Sequence, residues 1–155
     1  MKEGRKAPAF GLPDINGDIV RLSDFAGETV VLYFFPKADT PGCTTQACGI
    51  RDRWAQYEAA GAVVIGISRD DGERLYRFGH KHDLPIMFLS DPDHKVAEKY
   101  GVWAEKSMYG RRYWGIQRTT FIIGPSGKIE KVFPNVSPKK HDDLVLDALA
   151  ELAAA

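Results

Sequence analysis

The chain has 155 residues, is 44% hydrophobic and 27% charged, and carries 21 basic and 21 acidic side chains that cancel. That length predicts one domain, residues 1–155, around a single core, and the balanced charge argues against nucleic acid or an anionic membrane as a main partner. Two cysteines are too few for a disulfide scaffold, no stretch is long enough to span a bilayer, and MKEGRKAPAF lacks a signal-peptide apolar run, so a cytoplasmic protein is expected.

In chain order, Lys6–Leu12 reads as a short extended piece, Asn16-Gly17 as a hairpin turn, and Ile19–Leu22 as the alternating strand after it. Val30–Phe35 is an unbroken apolar run rich in β-branched and aromatic residues, the pattern of a central strand covered on both faces. It stops at Pro36. Beyond a polar loop, Ala47, Ile50, Trp54 and Tyr57 recur at helical offsets and predict one buried helix face, closed by Gly61. Ala62–Ser68 is a second buried strand. Asp70 or Asp71 caps a helix carrying Leu75 and Phe78. Ile86–Leu89 is a short strand behind Pro85, and Asp91–Gly101 a capped helix with Val96 and Tyr100 inward. Arg118–Ile123 and Ile129–Phe133 are antiparallel strands around the turn Gly124-Pro125-Ser126-Gly127. Ser137-Pro138 has the N-cap and N1 pattern of a last helix that turns Val145, Leu149 and Leu152 inward. The order β-β-β-α-β-α-β-α-β-β-α predicts a mixed sheet with helices on both faces.

Both cysteines, Cys43 and Cys48, follow the central strand. Thr40, Pro41 and Gly42 are loop and cap residues, which puts Cys43 at a helix start, where unsatisfied N–H groups and the helix dipole favour an anion. A thiol with the usual pKa of ~8.5 is a few per cent ionised at pH 7, and bringing it to ~6 takes about 3.4 kcal/mol of differential stabilisation. A helix N-terminus supplies ~1–2 kcal/mol of that, so a further donor or cation is needed. Thr40 either caps the helix or turns its hydroxyl toward the sulfur. Arg118 is either a surface residue at a strand end or the cation, since a guanidinium stays charged when partly buried. Cys48 is either a helix-buried cysteine or a second thiol that resolves an oxidised first one. The C-x4-C spacing is loose for zinc, and His80, His82, His94 and His141 form no fixed metal pattern, so all four read as surface or packing residues. Trp103, Tyr109, Tyr113 and Trp114 read as core and loop anchors.

In PKADTPGCTTQAC, Pro36, Thr40 and Cys43 stand in the spacing Pro-x-x-x-Thr-x-x-Cys, which resembles the peroxiredoxin signature. With Cys48, GVWAEKSMYG at 101–110 and GIQRTTFII at 115–123, the chain is similar to the bacterioferritin comigratory protein, or peroxiredoxin Q, subfamily over nearly its whole length. That resemblance implies an α/β, thioredoxin-like fold, a central mixed sheet flanked by helices, with an N-terminal β-hairpin extension. It implies reduction of hydrogen peroxide and organic hydroperoxides with no metal or organic cofactor. Cys43 would be the peroxidatic cysteine, Cys48 the resolving one through an intramolecular disulfide, and Thr40 and Arg118 the activators. Pro36 would shield the pocket, and Pro36, Thr40, Gly42 and Arg118 would bind the substrate. Thioredoxin or a similar dithiol protein would recycle the disulfide, in a monomer or weak homodimer without nucleic-acid or membrane partners. Ala38 and Gln46 stand where many members carry acidic residues.

On one continuous helix, residues five apart have Cα atoms roughly 8–9 Å from each other, beyond the ~7 Å a disulfide tolerates. The segment from about Thr40 to Gly49 is therefore expected to unwind in each cycle, with Gly49 weakening the helix. Two rival readings are a thiol–disulfide oxidoreductase, which would prefer C-x-x-C, and a metal-delivery module using both cysteines and a histidine.

Overall fold

An apolar run without a polar face must be covered on both sides, and strand β3 (Thr29–Phe34), third in the chain, is the centre of the molecule. The structure is a computed structural model, and it describes residues 2–154. Before β3 come β1 (Gly11–Pro13) and β2 (Ile19–Arg21), the N-terminal hairpin around Asn16-Gly17. After it come α1 (Pro41–Asp52), α2 (Trp54–Ala59), β4 (Ala62–Ser68), α3 (Gly72–Lys81), β5 (Met87–Ser90) and α4 (Lys95–Lys99). The chain finishes with β6 (Trp103–Met108), β7 (Arg111–Ile116), β8 (Thr119–Ile123), β9 (Ile129–Phe133) and α5 (His141–Ala154). The main sheet has the order β5-β4-β3-β8-β9, with β4 and β5 parallel to β3, β8 antiparallel to it, and β9 antiparallel to β8.

Alternation along β3 sends Val31 and Tyr33, with Phe35 just beyond, to one face and Val30, Leu32 and Phe34 to the other. The first face packs under α1, α2, α3 and α5 through Ala47, Ile50, Tyr57, Leu75, Phe78, Val145 and Leu149. The second packs under α4 and the N-terminal segment through Val96, Ala97, Tyr100, Phe10 and Leu12. This is a thioredoxin-like α/β fold, as the resemblance implies, with the mixed central sheet that the order of elements predicts.

Four local expectations are corrected. The helix read through to Gly61 is two helices, because Arg53 leaves helical geometry at φ −111° and ψ 21° while its guanidinium reaches Gln56 and, on α5, Asp143. The helix read over Asp91–Gly101 is only α4, because the Asp91 carboxylate accepts from the Val96 and Ala97 N–H groups and His94 takes a positive φ of 52°. The last helix begins at His141, and Ser137–Lys140 form turns ahead of it.

The β6–β7 hairpin is the largest departure. Its Tyr109-Gly110 turn has both residues at positive φ, as a two-residue hairpin turn requires. Tyr109, Tyr113 and Trp114 are exposed on it and are not core anchors. A two-stranded ribbon with both faces open has no apolar alternation, so its sequence carries no strand signal. Of the four aromatics only Trp103 is half-buried, stacked on His94 at 3.9 Å and capped by the Arg69 guanidinium.

Candidate active site

Register brings the site together. Phe34 pairs with Thr119, so Arg118, one residue ahead of β8, lies beside the C-terminal end of β3, where the 36–40 loop leads into α1. Cys43, the third residue of α1, is 2% exposed, and Arg118 Nη1 stands 3.5 Å from its Sγ. The same nitrogen donates to Gln46 Oε1 at 2.7 Å, one turn further along the helix. Gly42 makes this approach possible: a Cβ there would lie 3.0 Å from Arg118 Nη2. The cation and the helix N-terminus thus converge on one thiol, the arrangement that favours a thiolate.

Thr40 does neither of the two things read from the sequence. It occupies the N-cap position with an extended backbone, but its side chain makes no capping bond, and its hydroxyl donates to the Lys37 carbonyl at 2.8 Å. With that proton committed, its oxygen is left as a hydrogen-bond acceptor. Pro36 sits half-buried after Phe35 and lines a surface cleft with Arg69, Asp70 and Arg74.

The loop is fastened at two points that sequence reasoning missed. The buried Asp70 carboxylate accepts from Ala38 N–H at 2.7 Å and from the Ser68 hydroxyl at 2.8 Å. Asp71, not Asp70, caps α3, accepting from Arg74 N–H at 2.8 Å. Asp39, at φ 63°, pairs with Lys81 at 2.9 Å and His82 at 3.2 Å, and these hydrogen bonds hold its carboxyl below the usual range. The only sequence hint was the pair of acids Asp70-Asp71, of which one suffices for the cap.

Both cysteines are free thiols, and α1 is continuous between them, so helix geometry sets their Cα atoms roughly 8–9 Å apart. On the side of α1 facing α5, an added Cβ at Gly49 would collide with Asp142 Oδ2. Asp142 Oδ1 accepts from the Tyr57 hydroxyl at 2.5 Å and lies 3.4 Å from His141 Nδ1. His141 Nε2 is 2.9 Å from Thr120 Oγ1, so this histidine, fully buried, belongs to a polar network and is more than a packing residue. Beneath α1 the Tyr33 hydroxyl is buried without a partner; burial first, and then repulsion from a thiolate at Cys43, push its pKa well above the ordinary value. Lys106 on β6 is held below the usual lysine range by burial and then by the Arg118 charge, which brings a second cation to this end of the sheet. Among the described residues, no three or more of His, Cys, Asp and Glu cluster in a way that could hold a metal ion, and no helix is long and apolar enough to cross a membrane.

A buried thiol at the first turn of a helix, over a thioredoxin-like sheet and beside an arginine, defines a thiol-redox enzyme. The chain belongs to the AhpC/TSA family, whose profile matches residues 4–132. It is 50% identical over 153 residues to peroxiredoxin Bcp of Escherichia coli K12, covering 99% of this chain and 98% of that one. The bacterioferritin comigratory protein of Xanthomonas campestris superposes with a TM-score of 0.90 at 32% identity, covering 98% and 99% of the two chains. A cysteine-to-serine variant of Xylella fastidiosa PrxQ superposes with a TM-score of 0.92 at 31% identity, covering 99% and 98%. The Bcp/peroxiredoxin Q resemblance read from the sequence holds over the full length, and the protein is a thiol-dependent peroxidase.

Proposed function

We propose that Cys43 is the attacking thiol and Cys48 the resolving one, with hydrogen peroxide and organic hydroperoxides as substrates. The observation that carries this is Arg118 Nη1 at 3.5 Å from Cys43 Sγ in the first turn of α1. The Cys43 thiolate attacks the terminal peroxide oxygen along the O–O axis. The O–O bond breaks, sulfur keeps the terminal oxygen as sulfenic acid, and the departing oxygen takes a proton to leave as water or an alcohol. Arg118 and the N–H groups at the helix start stabilise the negative charge as it moves onto that oxygen. The Thr40 oxygen, with its proton on the Lys37 carbonyl, accepts from the peroxide O–H and orients it. Gly42 keeps the way open for Arg118, and Pro36, half-buried at the start of the loop, would shield the pocket from water.

The Cys48 thiol then displaces water from the sulfenic acid to give the Cys43–Cys48 disulfide, after α1 unwinds. A dithiol protein of thioredoxin type reduces it by exchange. An alkyl peroxide fits the reported alkyl peroxide reduction of the Xanthomonas campestris protein. The chain acts in the cytoplasm as a monomer or weak homodimer. The test is thioredoxin-coupled peroxide consumption, with hydrogen peroxide and an organic hydroperoxide side by side. Cys43→Ser is expected to abolish turnover, because a serine hydroxyl stays protonated at pH 7. Cys48→Ser is expected to allow one fast oxidation and then stall. Retained turnover in Cys43→Ser would end the assignment of the first thiol; full thioredoxin-dependent turnover in Cys48→Ser would end that of the second.

A further inference from the structure

Arg118 meets two groups on α1 through one nitrogen, the Cys43 sulfur at 3.5 Å and the Gln46 amide oxygen at 2.7 Å. Among the described residues, no carboxylate forms an ion pair with it. Lys106 from β6 and Tyr33 from β3 both feel the charges of Arg118 and Cys43, Tyr33 also those of Asp142 on α5 and Cys48 on α1, and His141 of α5 lies against Tyr33 and Asp142. Lys106 is itself a cation. Tyr33 is kept neutral by burial, and the Asp142 carboxylate bonds Tyr57 and lies against His141 rather than Arg118. The charge of Arg118 therefore falls on Cys43.

Gln46 is fully buried. A guanidinium carries donors only, so the amide must offer it the oxygen, and this settles which way the amide lies. Its Nε2 is then left buried with no partner. An unpaired buried donor is destabilising, whereas a glutamate of the same shape would have no such donor and would bind Arg118 by a charge-assisted bond. The amide thus carries an unpaired donor where a glutamate would carry the desolvation of a buried carboxylate. What it does differently is hold the guanidinium without neutralising it.

The geometry points to Gln46 as a positioning residue that holds Arg118 against Cys43 while withholding a counter-charge, so that the thiolate is the guanidinium's one anionic partner. The inference rests on Cys43 being the attacking thiol. It also links the thiol's redox state to α1. Two-electron oxidation of the thiolate to a protonated sulfenic acid removes the negative charge before the disulfide forms and leaves Arg118 facing a neutral amide, which loosens the first turn of α1 when unwinding is needed.

The experiment uses Gln46→Glu and Gln46→Met in a Cys48→Ser background, so that alkylation and single-turnover oxidation both report on Cys43. Gln46→Glu is expected to move the pH midpoint of alkylation up by about one unit, with the high-pH plateau of peroxide oxidation within about threefold of the parent. Gln46→Met, of similar shape and uncharged, is expected to lower that plateau about three- to tenfold, because nothing then holds Arg118. An unchanged midpoint in Gln46→Glu overturns the role of the missing charge, and an unchanged plateau in Gln46→Met overturns the positioning. The Cys43→Ser assay separates this from the reading beneath it. If Cys43→Ser is inactive and the Gln46 variants behave like the parent, only the present inference fails.

Discussion

Replacing Gly49 by alanine sets two opposed effects against each other in the segment proposed to unwind. By helix propensity alone, alanine favours α1 by about 1 kcal/mol. In the fold, however, the new Cβ would collide with Asp142 Oδ2. That carboxylate is 7% exposed and cannot swing away freely, since Oδ1 holds the Tyr57 hydroxyl at 2.5 Å and lies 3.4 Å from His141 Nδ1. Overpacking costs about 1–3 kcal/mol, and loosening a hydrogen bond to a charged group about 1.5–3 kcal/mol. Set against the propensity gain, the net is a loss of about 1.5–5 kcal/mol, or a Tm lower by about 3–20 °C for a chain of this size. The assay is scanning calorimetry of the reduced protein. In an Asp142→Ala background, the same Gly49→Ala change is expected to be neutral or stabilising by up to ~1 kcal/mol, and the difference between backgrounds measures the contact. A Tm equal to or above wild type in the single variant would refute the reasoning. The consequence for turnover also changes sign. Propensity alone predicts that Gly49→Ala stiffens α1 and slows disulfide formation; a loosened α1–α5 contact predicts faster formation.

Three further outcomes are expected. Amide exchange over residues 43–50 should be much faster in the disulfide form than in the reduced form, while Tyr57 and the residues around it stay protected; equal protection in both forms would contradict local unwinding. Arg118→Ala should raise the pH midpoint of Cys43 alkylation by about 1–3 units and slow peroxide oxidation by roughly 10²-fold or more, with Arg118→Lys recovering only part because a point charge lacks the fork geometry. An unmoved midpoint would remove the electrostatic role. Burial raises the Tyr33, Tyr57 and Tyr100 hydroxyls above the tyrosine range. The stability this contributes is complete below the unfolded value of ~10 and is lost as pH climbs from there toward the folded values. Tyr33→Phe removes a hydroxyl without a partner, so at pH 7 it should be neutral or stabilising by up to about 1 kcal/mol, with a shallower alkaline decline in urea titrations. A marked loss of stability at pH 7 would count against it.

Much of this protein follows from neighbours in the sequence. The run Val30–Phe35 had to be a central strand because it has no polar face to give to water. Ala62–Ser68 is the strand read from its apolar residues, Asp71 caps α3, and Cys43 stands at a helix start because Pro41 and Gly42 precede it. These are decided within a few residues, by periodicity, capping and the stopping power of proline. The pairing of Arg118 with Cys43, 75 residues apart, is of another kind. No local pattern holds it; the motif resemblance suggested it, and the register of Phe34 against Thr119 brings it about. The same is true of the Asp70 clamp on the loop, the Lys37 carbonyl that takes the Thr40 proton, and the amide of Gln46 turned toward a cation. Gly49 shows the limit most clearly. Its sequence context speaks only of helix propensity, while its neighbour across the fold, Asp142, lies 93 residues away. Periodicity records which residues leave water, and only the folded chain decides what each of them then meets.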